Sequence, residues 1–458
     1  MGICIVEKNT SLEKIPNPKL ALVLAGGAIS GGAFKVGGLK ALNDFLVNRK
    51  VTNFDIYVGL SAGAFLAAPL AGGIPPEEML ASLDGKSRLF SQLSLFNLYK
   101  PNFEEIITRP LKYVYGHFTF VPGIIYDLCR SAPQLKRNFW NNLKRLVLHP
   151  SYSNYEELMA PILRVMYATR SIPQLEELLP SGIFDNAPIE KFVRQNMRRN
   201  RMTNHFKVLK KMSGKSLYIT AMNVDTAERV IFGPDEKSDI TISQAIQASS
   251  AIPGFYKPVR LKGIDYTDGG VDSTANIDIA FAKGADVVIC YNPFRPFSNE
   301  VVVEYLREEN RYITKNKQLA DWGLSMVLNQ IFRSLLHARL MQSIETYKND
   351  ATFKKDIIII QPKQDDNEFF ELNPIFFWNR AKAALRGFHS VSQSIEQDFD
   401  RISSIMSKYG VTMTRDIINL DEKRMEKTKN DTQKIMDILE QTHTKNRLKI
   451  VQSNTSKK

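Results

Sequence analysis

The sequence has few cysteines and no long apolar run. Its three cysteines, Cys4, Cys129 and Cys290, lie far apart, which excludes a disulfide-dense scaffold and indicates either a reducing compartment or simply a chain without disulfides. No stretch of about eighteen uninterrupted apolar residues occurs, so no helix long enough to span a membrane is expected. The first residues, Met1–Glu7, are too short in apolar length for a secretory signal. We therefore expect a cytoplasmic protein whose membrane contact is peripheral.

What the chain does have is enough apolar content for a large core and an excess of positive charge. It contains 458 residues, 43% of them hydrophobic, and this length predicts more than one structural unit. The formal net charge is +13. No nucleic-acid-binding motif accompanies the basic residues, so we expect no nucleic-acid partner.

The strongest motif is a serine between small residues. Residues 59–63 read Gly-Leu-Ser-Ala-Gly and lie between the apolar run Ile56–Leu60 and an alanine-rich helical run. Gly59 and Gly63 would let a helix start close to the strand, which lifts the Ser61 hydroxyl clear of the backbone. Ser61 is therefore the candidate nucleophile. The alternative interpretation is a glycine-rich turn with an idle serine.

A glycine loop upstream separates an expected strand, Lys19–Ala25, from an expected helix, Ala33–Leu46. The loop reads Gly-Gly-Ala-Ile-Ser-Gly-Gly and covers residues 26–32. Backbone N–H groups at a helix N-terminus can stabilise the negative charge that builds on a carbonyl oxygen during acyl transfer. The spacing fits dinucleotide or P-loop phosphate binding less well. The expected oxyanion hole is the backbone of Gly26, Gly27 and Ala28.

Asp268 is the candidate base. It lies at the end of an expected short strand and is followed by Gly269 and Gly270. A partly desolvated carboxylate beside a serine can accept the hydroxyl proton directly, without a histidine. The alternative is an ordinary Asx turn, since Asp-Gly-Gly is also common turn chemistry.

Together these motifs resemble the patatin-like acyl hydrolases. The resemblance extends over Lys19–Pro293, and residues 357–362 resemble the family's last core strand. It implies a three-layer α/β/α fold with a mainly parallel sheet, a helical insertion and helical C-terminal additions. It also implies hydrolysis of phospholipids or other acyl lipids without a metal or cofactor. Ser61 resembles the nucleophile and Asp268 the base of a catalytic dyad, within motifs that include Gly31, Gly59, Gly63, Gly269 and Gly270.

The glycine loop departs from the family pattern at two positions. Many members have a third glycine followed two residues later by Arg or Lys, whereas this chain has Ala28 and Ser30. We expect the loop to act through its backbone donors. A catalytically silent lipid- or partner-binding member remains an alternative.

A Ser-Asp-His triad of the α/β-hydrolase type is the other alternative. Six histidines are present, and the order Ser, Asp, His leaves only those beyond Asp268. His337 and His389 both fall in helical patterns, which favours a structural position for them.

A basic, aromatic segment is the candidate membrane contact. Residues 128–155 contain no Asp or Glu. An apolar stripe flanked by cations suits a helix that lies in the headgroup layer of an anionic membrane, although a packed cap helix would show the same pattern. The candidate contacts are Arg130, Lys136, Arg137, Trp140, Lys144 and Arg145.

The sequence predicts four regions. Residues 1–18 form a polar lead-in, and residues 19–362 form the catalytic domain with a helical cap at about 75–178. Residues 363–420 form a helical C-terminal region. Residues 421–458, which are rich in charge and sparse in apolar positions, are expected to be an exposed tail.

Overall fold

The computed structural model describes residues 2–10, 13–87, 89–169, 175–271, 273–306, 311–314, 317–364, 366–370, 377–428 and 431–441. The chain divides into two compact units. Unit 1 comprises Met1–Lys100 and Asn186–Lys458, and unit 2 comprises Pro101–Asp185. No helix in the described ranges is both long enough and apolar enough to cross a membrane.

The described strands, in chain order, are β1 (Ile3–Val6), β2 (Leu20–Leu24), β3 (Ile56–Leu60), β4 (Gly182–Phe184), β5 (Ser216–Asn223), β6 (Arg229–Phe232), β7 (Gly254–Tyr256), β8 (Val259–Leu261), β9 (Ile264–Asp268), β10 (Val287–Tyr291), β11 (Val303–Leu306), β12 (Arg311–Thr314) and β13 (Asp356–Ile360).

The described α-helices are α1 (Ala28–Phe45), α2 (Ala62–Ala71), α3 (Pro76–Leu83), α4 (Leu95–Leu98), α5 (Phe103–Leu148), α6 (Tyr152–Thr169), α7 (Ala187–Arg199), α8 (Phe206–Ser213), α9 (Ile242–Ser249), α10 (Ile277–Ala282), α11 (Leu324–Asn349), α12 (Asn367–Phe370), α13 (Arg380–Gln397), α14 (Phe399–Lys408), α15 (Asp416–Glu426) and α16 (Thr432–Leu439). Short 3₁₀ helices cover Val51–Asn53, Leu175–Leu178, Gly269–Val271, Leu319–Trp322 and Phe377–Asn379.

Unit 1 is built on a mixed sheet whose centre is parallel. The strand order is β1-β13-β10-β2-β3-β5-β9-β8, and β6 pairs with β5. Neighbours from β13 to β5 run parallel, whereas β1, β6, β8 and β9 are added antiparallel at the edges. The central strands are continuous apolar runs, as expected for strands that are covered on both faces.

Helices cover both faces of this sheet. On one face, alternate residues such as Val23, Val58 and Cys290 form a core with Ile277 of α10 and Leu340 of α11. On the other face, Ile289 and Ile358 line a small apolar space with residues of α1, α13 and α14. This arrangement confirms the expected α/β fold with a mainly parallel sheet.

The structure differs from the sequence expectation at the lead-in. Residues 3–6 form β1, which pairs antiparallel with β13 at the edge of the sheet. A four-residue apolar run carries no periodicity by which a sequence could separate an edge strand from a loop.

Two other boundaries also differ. The residues after Pro75 form α3 of unit 1, with Met79 and Leu80 buried, so that the helical insertion occupies unit 2 from Pro101 onward. Part of the expected exposed tail is packed, because Ile435, Met436 and Leu439 of α16 are buried. These three positions follow helical spacing, and one apolar face is enough to dock a short helix. Residues 442–458 lie outside the described ranges.

Candidate active site

The topology of the sheet brings the predicted site residues to one edge. The glycine loop follows β2 and Ser61 follows β3, and these neighbouring strands are parallel, so their carboxyl ends coincide. Leu60 pairs with Thr220 of β5, and Ala221 pairs with Asp268 of β9. The antiparallel β9 therefore ends at the same level as β3 and delivers Asp268 to Ser61.

Ser61 lies on a strained turn between β3 and α2. Its backbone has φ 53° and ψ −126°, a conformation that non-glycine residues rarely adopt. A β-carbon on Gly63 would lie 2.0 Å from the Leu24 carbonyl oxygen, and one on Gly59 would lie 2.5 Å from the Ala64 Cα. Only glycine fits at either position. The local sequence thus produces the sharp turn that a nucleophile elbow requires.

Asp268 is buried beside the candidate nucleophile. Its carboxylate accepts a hydrogen bond from the Gly270 N–H at 2.9 Å, and the Ser61 side chain is among the neighbours that favour its charged form. Burial raises the pKa of Asp268 to about 6, while the Ser61 side chain, the Gly270 N–H and the charge of Lys35 act in the opposite direction. A carboxylate with a pKa in this range can take up a proton reversibly near neutral pH.

The C-terminal end of α9 holds both residues in place. The Ser249 hydroxyl accepts a hydrogen bond from the Ser61 backbone N–H at 2.8 Å. Two residues later, the Ala251 carbonyl accepts one from the Asp268 N–H at 2.9 Å and one from the Thr267 hydroxyl at 2.7 Å. One short segment therefore fixes the distance between serine and carboxylate.

The glycine loop borders Ser61 and is shorter than the sequence predicts, because α1 begins at Ala28 and residues 28–32 are helical. A β-carbon on Gly26 would lie 3.4 Å from the Ser61 Cβ. Gly27 has φ 148°, and Ala28, the first residue of α1, has φ 51° although it is not glycine. The N–H groups of Gly26, Gly27 and Ala28 thus belong to the N-terminus of an 18-residue helix, where the helix dipole favours negative charge.

A buried lysine is hydrogen-bonded to the backbone of the glycine loop. Lys35, on the second turn of α1, is 0% exposed, and its Nζ donates hydrogen bonds to the carbonyls of Ala25 and Gly26, the latter at 2.8 Å. Burial lowers the pKa of Lys35 to about 7, and the negative charge of Asp268 opposes this shift.

An apolar pocket opens beside Ser61. It is formed within unit 1 by residues of α1, α2, α3, α7 and α9, and no histidine of the described ranges lines it. Its wall is mostly aliphatic and aromatic; its polar lining residues include Ser61, Ser82, Asn196, Ser250 and Arg380. Such a pocket suits a hydrocarbon chain attached to a group that reacts at Ser61.

Comparison with protein families identifies the family to which this chain belongs. The family described as "Patatin-like phospholipase" matches residues 22–281, more than half of the chain. The chain belongs to this family. The patatin-like match begins in β2 and ends in α10, so it includes the glycine loop, Ser61 and Asp268.

Individual relatives of this patatin-like chain are distant. "Uncharacterized protein YjjU" of Escherichia coli is 38% identical over 78 residues, 17% of this chain and 21% of that protein. "Probable lipid hydrolase 463L" of Invertebrate iridescent virus 6 is 30% identical over 101 residues, 22% of this chain and 35% of that protein. The matches thus span about a fifth to a third of these relatives. Among solved structures, VipD from Legionella pneumophila is 16% identical, with 86% of this chain and 70% of that chain covered and a TM-score of 0.34.

The alternative site residues of the patatin-like chain lie elsewhere. His337 is half-buried in α11, where burial lowers its pKa, and His389 lies in α13. Neither is among the partners of Asp268 that the structure describes.

The predicted membrane contacts lie on α5 of unit 2. The side chains of Arg130, Lys144 and Arg145 are exposed, and Trp140 is 63% exposed. Arg145 also lies 3.6 Å from Glu157. The side chains of Lys136 and Arg137 lie outside the described part of the structure.

Sequence reasoning missed two residues that organise this patatin-like site. Lys35 could have been noticed, because it is the single charge in the otherwise small and apolar run Ala33–Leu39. Ser249 lies in an Ala/Ser-rich helix and carries no comparable signal. Its role depends entirely on the packing of α9 against α2.

Proposed function

We propose that this chain is a lipid acyl hydrolase that uses Ser61 and Asp268 as a catalytic dyad. The Asp268 carboxylate takes the Ser61 proton while Oγ attacks the ester carbonyl, and the N–H groups of residues 26–28 stabilise the oxyanion. The alcohol leaves with that proton and an acyl-enzyme remains. A water molecule, deprotonated by Asp268, then releases the fatty acid and restores Ser61.

The observation that carries this proposal is that the buried carboxylate of Asp268 and the Ser61 side chain are neighbours at the edge of an apolar pocket. Membership of the patatin-like phospholipase family and the name of the viral relative, a probable lipid hydrolase, support the same chemistry. The apolar wall favours a fatty acyl chain, so phospholipids, lysophospholipids and acylglycerols are the substrate class.

Fluorophosphonate labelling tests the proposal. Wild type should form a covalent adduct on Ser61, and Ser61→Ala should not. Ser82→Ala, which removes another hydroxyl that lines the same pocket, is the matched control and should label normally. A wild-type chain that neither labels nor hydrolyses a short-chain ester would favour the catalytically silent alternative.

Histidine substitutions separate the dyad from a triad. We expect His337→Ala and His389→Ala to retain most ester hydrolysis, because the proposed dyad transfers the Ser61 proton to Asp268 without a histidine. Loss of activity in either folded variant would support a Ser-Asp-His triad.

We also propose that unit 2 contacts an anionic membrane surface through the basic segment of α5. The exposed Arg130, Trp140 and Lys144 support this, since cations can meet lipid phosphates while an indole ring enters the interface. No nucleic-acid partner is proposed.

A further inference from the structure

Helix α5 exposes an apolar face along the first half of its length. Six large apolar side chains, each 55–77% exposed, fall within about a third of the helix circumference at 3.6 residues per turn. They extend over about 33 Å at a rise of 1.5 Å per residue. This apolar stripe consists of Phe103, Ile107, Leu111, Tyr115, Phe118 and Ile125.

The opposite face of the same helix segment is packed and carries a hydrogen-bonded carboxylate. Glu105 accepts hydrogen bonds from the Ser181 N–H at 2.7 Å, from its hydroxyl at 2.8 Å, and from Arg109 Nε at 2.7 Å. Tyr113 and Phe120 on this face are partly buried. A surface helix of a water-soluble unit normally shows the reverse pattern, so the apolar stripe is built to contact something other than water.

The charge of α5 and the residues that follow it favours an anionic partner. Residues 106–155 contain seven Lys or Arg and a single acidic residue, Asp127. The side chains of Arg130, Lys144 and Arg145 are exposed on the same helix that carries the apolar stripe. A helix with an exposed apolar face in its first half and exposed cations in its second half matches an anionic lipid layer, which offers hydrocarbon and phosphate at adjacent depths.

We propose that the apolar stripe of α5 inserts into the headgroup–acyl boundary of an anionic membrane, and that the cations beyond residue 128 contact the lipid phosphates. The choice of a lipid partner rests on the proposed acyl-lipid substrate. The stripe supplies the hydrocarbon contact, whereas the cations supply the dependence on anionic lipid.

Vesicle co-sedimentation tests this surface. Leu111→Gln/Phe118→Gln is compared with Val208→Gln/Met212→Gln, a control that removes two exposed apolar side chains from α8 of unit 1. Vesicles contain equal phosphatidylcholine and phosphatidylglycerol. We expect binding to weaken at least about tenfold in the stripe variant and to stay unchanged in the control. Phe118→Gln alone should show part of the effect, and circular dichroism confirms folding.

All chains carry Ser61→Ala, so binding is read without hydrolysis, and a failure of the proposed activity appears separately in ester assays of the wild type. Equal vesicle binding by the two double variants would overturn the proposal. So would loss of self-association in sedimentation velocity with unchanged vesicle binding, because the stripe would then contact a second copy of the chain.

A second, independent observation concerns Lys35. Its ammonium contacts the carbonyls of Ala25 and Gly26 in the interior, and residues 26–32 contain no Lys or Arg of their own. In a trans peptide the N–H points opposite to the C=O, so holding these two carbonyls turns the N–H groups of Gly26 and Gly27 away from Lys35. Gly26 borders Ser61, so these N–H groups belong to the expected oxyanion hole.

We infer that Lys35 is a positioning residue that fixes the backbone of the glycine loop for oxyanion binding. It also brings a positive charge near Asp268. The inference rests on the proposed function for its kinetic consequences. The orientation of the loop itself can be measured without catalysis.

Lys35→Met and Lys35→Arg test this role, with Lys40→Met as the matched control. Lys40 is a second fully buried lysine of α1, and it pairs with Asp44 and, at 3.7 Å, with Asp421. In Lys35→Met we expect kcat for a soluble ester to fall on the order of 10²-fold with KM nearly unchanged. The acid limb of the pH profile should move to higher pH, because Asp268 loses a neighbouring cation. Lys35→Arg should recover part of kcat.

Amide hydrogen exchange of residues 24–29 supplies a readout that needs no activity. Exchange should accelerate at least about tenfold in Lys35→Met and not in Lys40→Met, even if both variants lose stability. Unchanged exchange in Lys35→Met would overturn the inference whether or not the chain hydrolyses esters. Equal acceleration in the two variants would also overturn it, because the effect would then be general destabilisation. An inactive wild type with the expected exchange pattern would count against the hydrolase proposal alone.

Discussion

Replacing Asp268 with asparagine should inactivate the protein and stabilise it at the same time. The carboxylate is buried, and its pKa is raised from 3.8 to about 6 chiefly by that burial. An uncharged asparagine of nearly the same shape can still accept the hydrogen bond from the Gly270 N–H. It cannot act as a base.

The magnitude follows from the linkage between protonation and folding. Because the folded pKa lies above the unfolded value of 3.8, the folded state binds more protons than the unfolded state between pH 3.8 and about 6. Stability is therefore fully present below about pH 4 and is lost as the pH rises through 6. At 1.36 kcal/mol per pKa unit the loss is about 3 kcal/mol at neutral pH. Asp268→Asn also removes the negative charge that stabilises the buried Lys35 ammonium, which offsets part of this gain. We therefore expect the free energy of unfolding to rise by about 1 to 3 kcal/mol.

Urea unfolding of wild type and Asp268→Asn at pH 7.5 and pH 4 measures this gain. The free energy of unfolding of the variant should exceed that of wild type at pH 7.5 and nearly equal it at pH 4. Ester hydrolysis should fall on the order of 10³-fold. A variant that is less stable than wild type at pH 7.5, or an equal stability difference at both pH values, would refute the idea that burial of the charged Asp268 carboxylate destabilises the folded state.

Other expected outcomes follow from the same site. For a soluble ester, kcat/KM should decrease as the pH is lowered below about 6, and a profile without this acid limb would argue against a carboxylate base. The double variant Ser61→Ala/Asp268→Asn should hydrolyse the ester no more slowly than Ser61→Ala alone. Ser30→Ala should cost less than about tenfold in turnover, whereas Gly27→Pro should abolish it, since proline cannot adopt φ 148°; comparable damage would mean that the Ser30 hydroxyl takes part. Ala28→Gly should raise the free energy of unfolding by about 0.5 to 1 kcal/mol by relieving a left-handed conformation, which urea titration would check. Charge reversal to Glu on α5 should release the chain from acidic vesicles; the reversed residues are Lys136, Arg137, Lys144 and Arg145. Co-sedimentation that is insensitive to both the reversal and high salt would indicate a packed helix instead.

Local sequence was sufficient wherever the geometry is local. The turn at Ser61 could be predicted because Gly59 and Gly63 lie within two residues of it, and their missing side chains are what the turn requires. A strand before Gly26 and a helix after it could be predicted for the same reason, but the helix begins at Ala28 rather than at the expected Ala33. The α/β class followed from apolar runs that alternate with helical patterns.

Other features depend on contacts between distant segments. The burial of α16 and the pairing of β1 with β13 depend on which surfaces of the core the rest of the chain leaves uncovered. A short apolar run in the sequence does not show where such a surface lies. Lys35 carried a weak signal, a lone charge in an apolar run, but its partners could not be read from the sequence. Ser249 carried none.

The sequence by itself determined the residue types at the site, the family pattern and the order of the elements, because these depend on neighbours along the chain. The tertiary structure alone made Asp268, 207 residues beyond Ser61 in sequence, a neighbour of that serine. It also decided the raised pKa of the carboxylate and the support of the glycine loop by Lys35. Burial and long-range contact are properties of the packed sheet and helices, and no local stretch of sequence contains them.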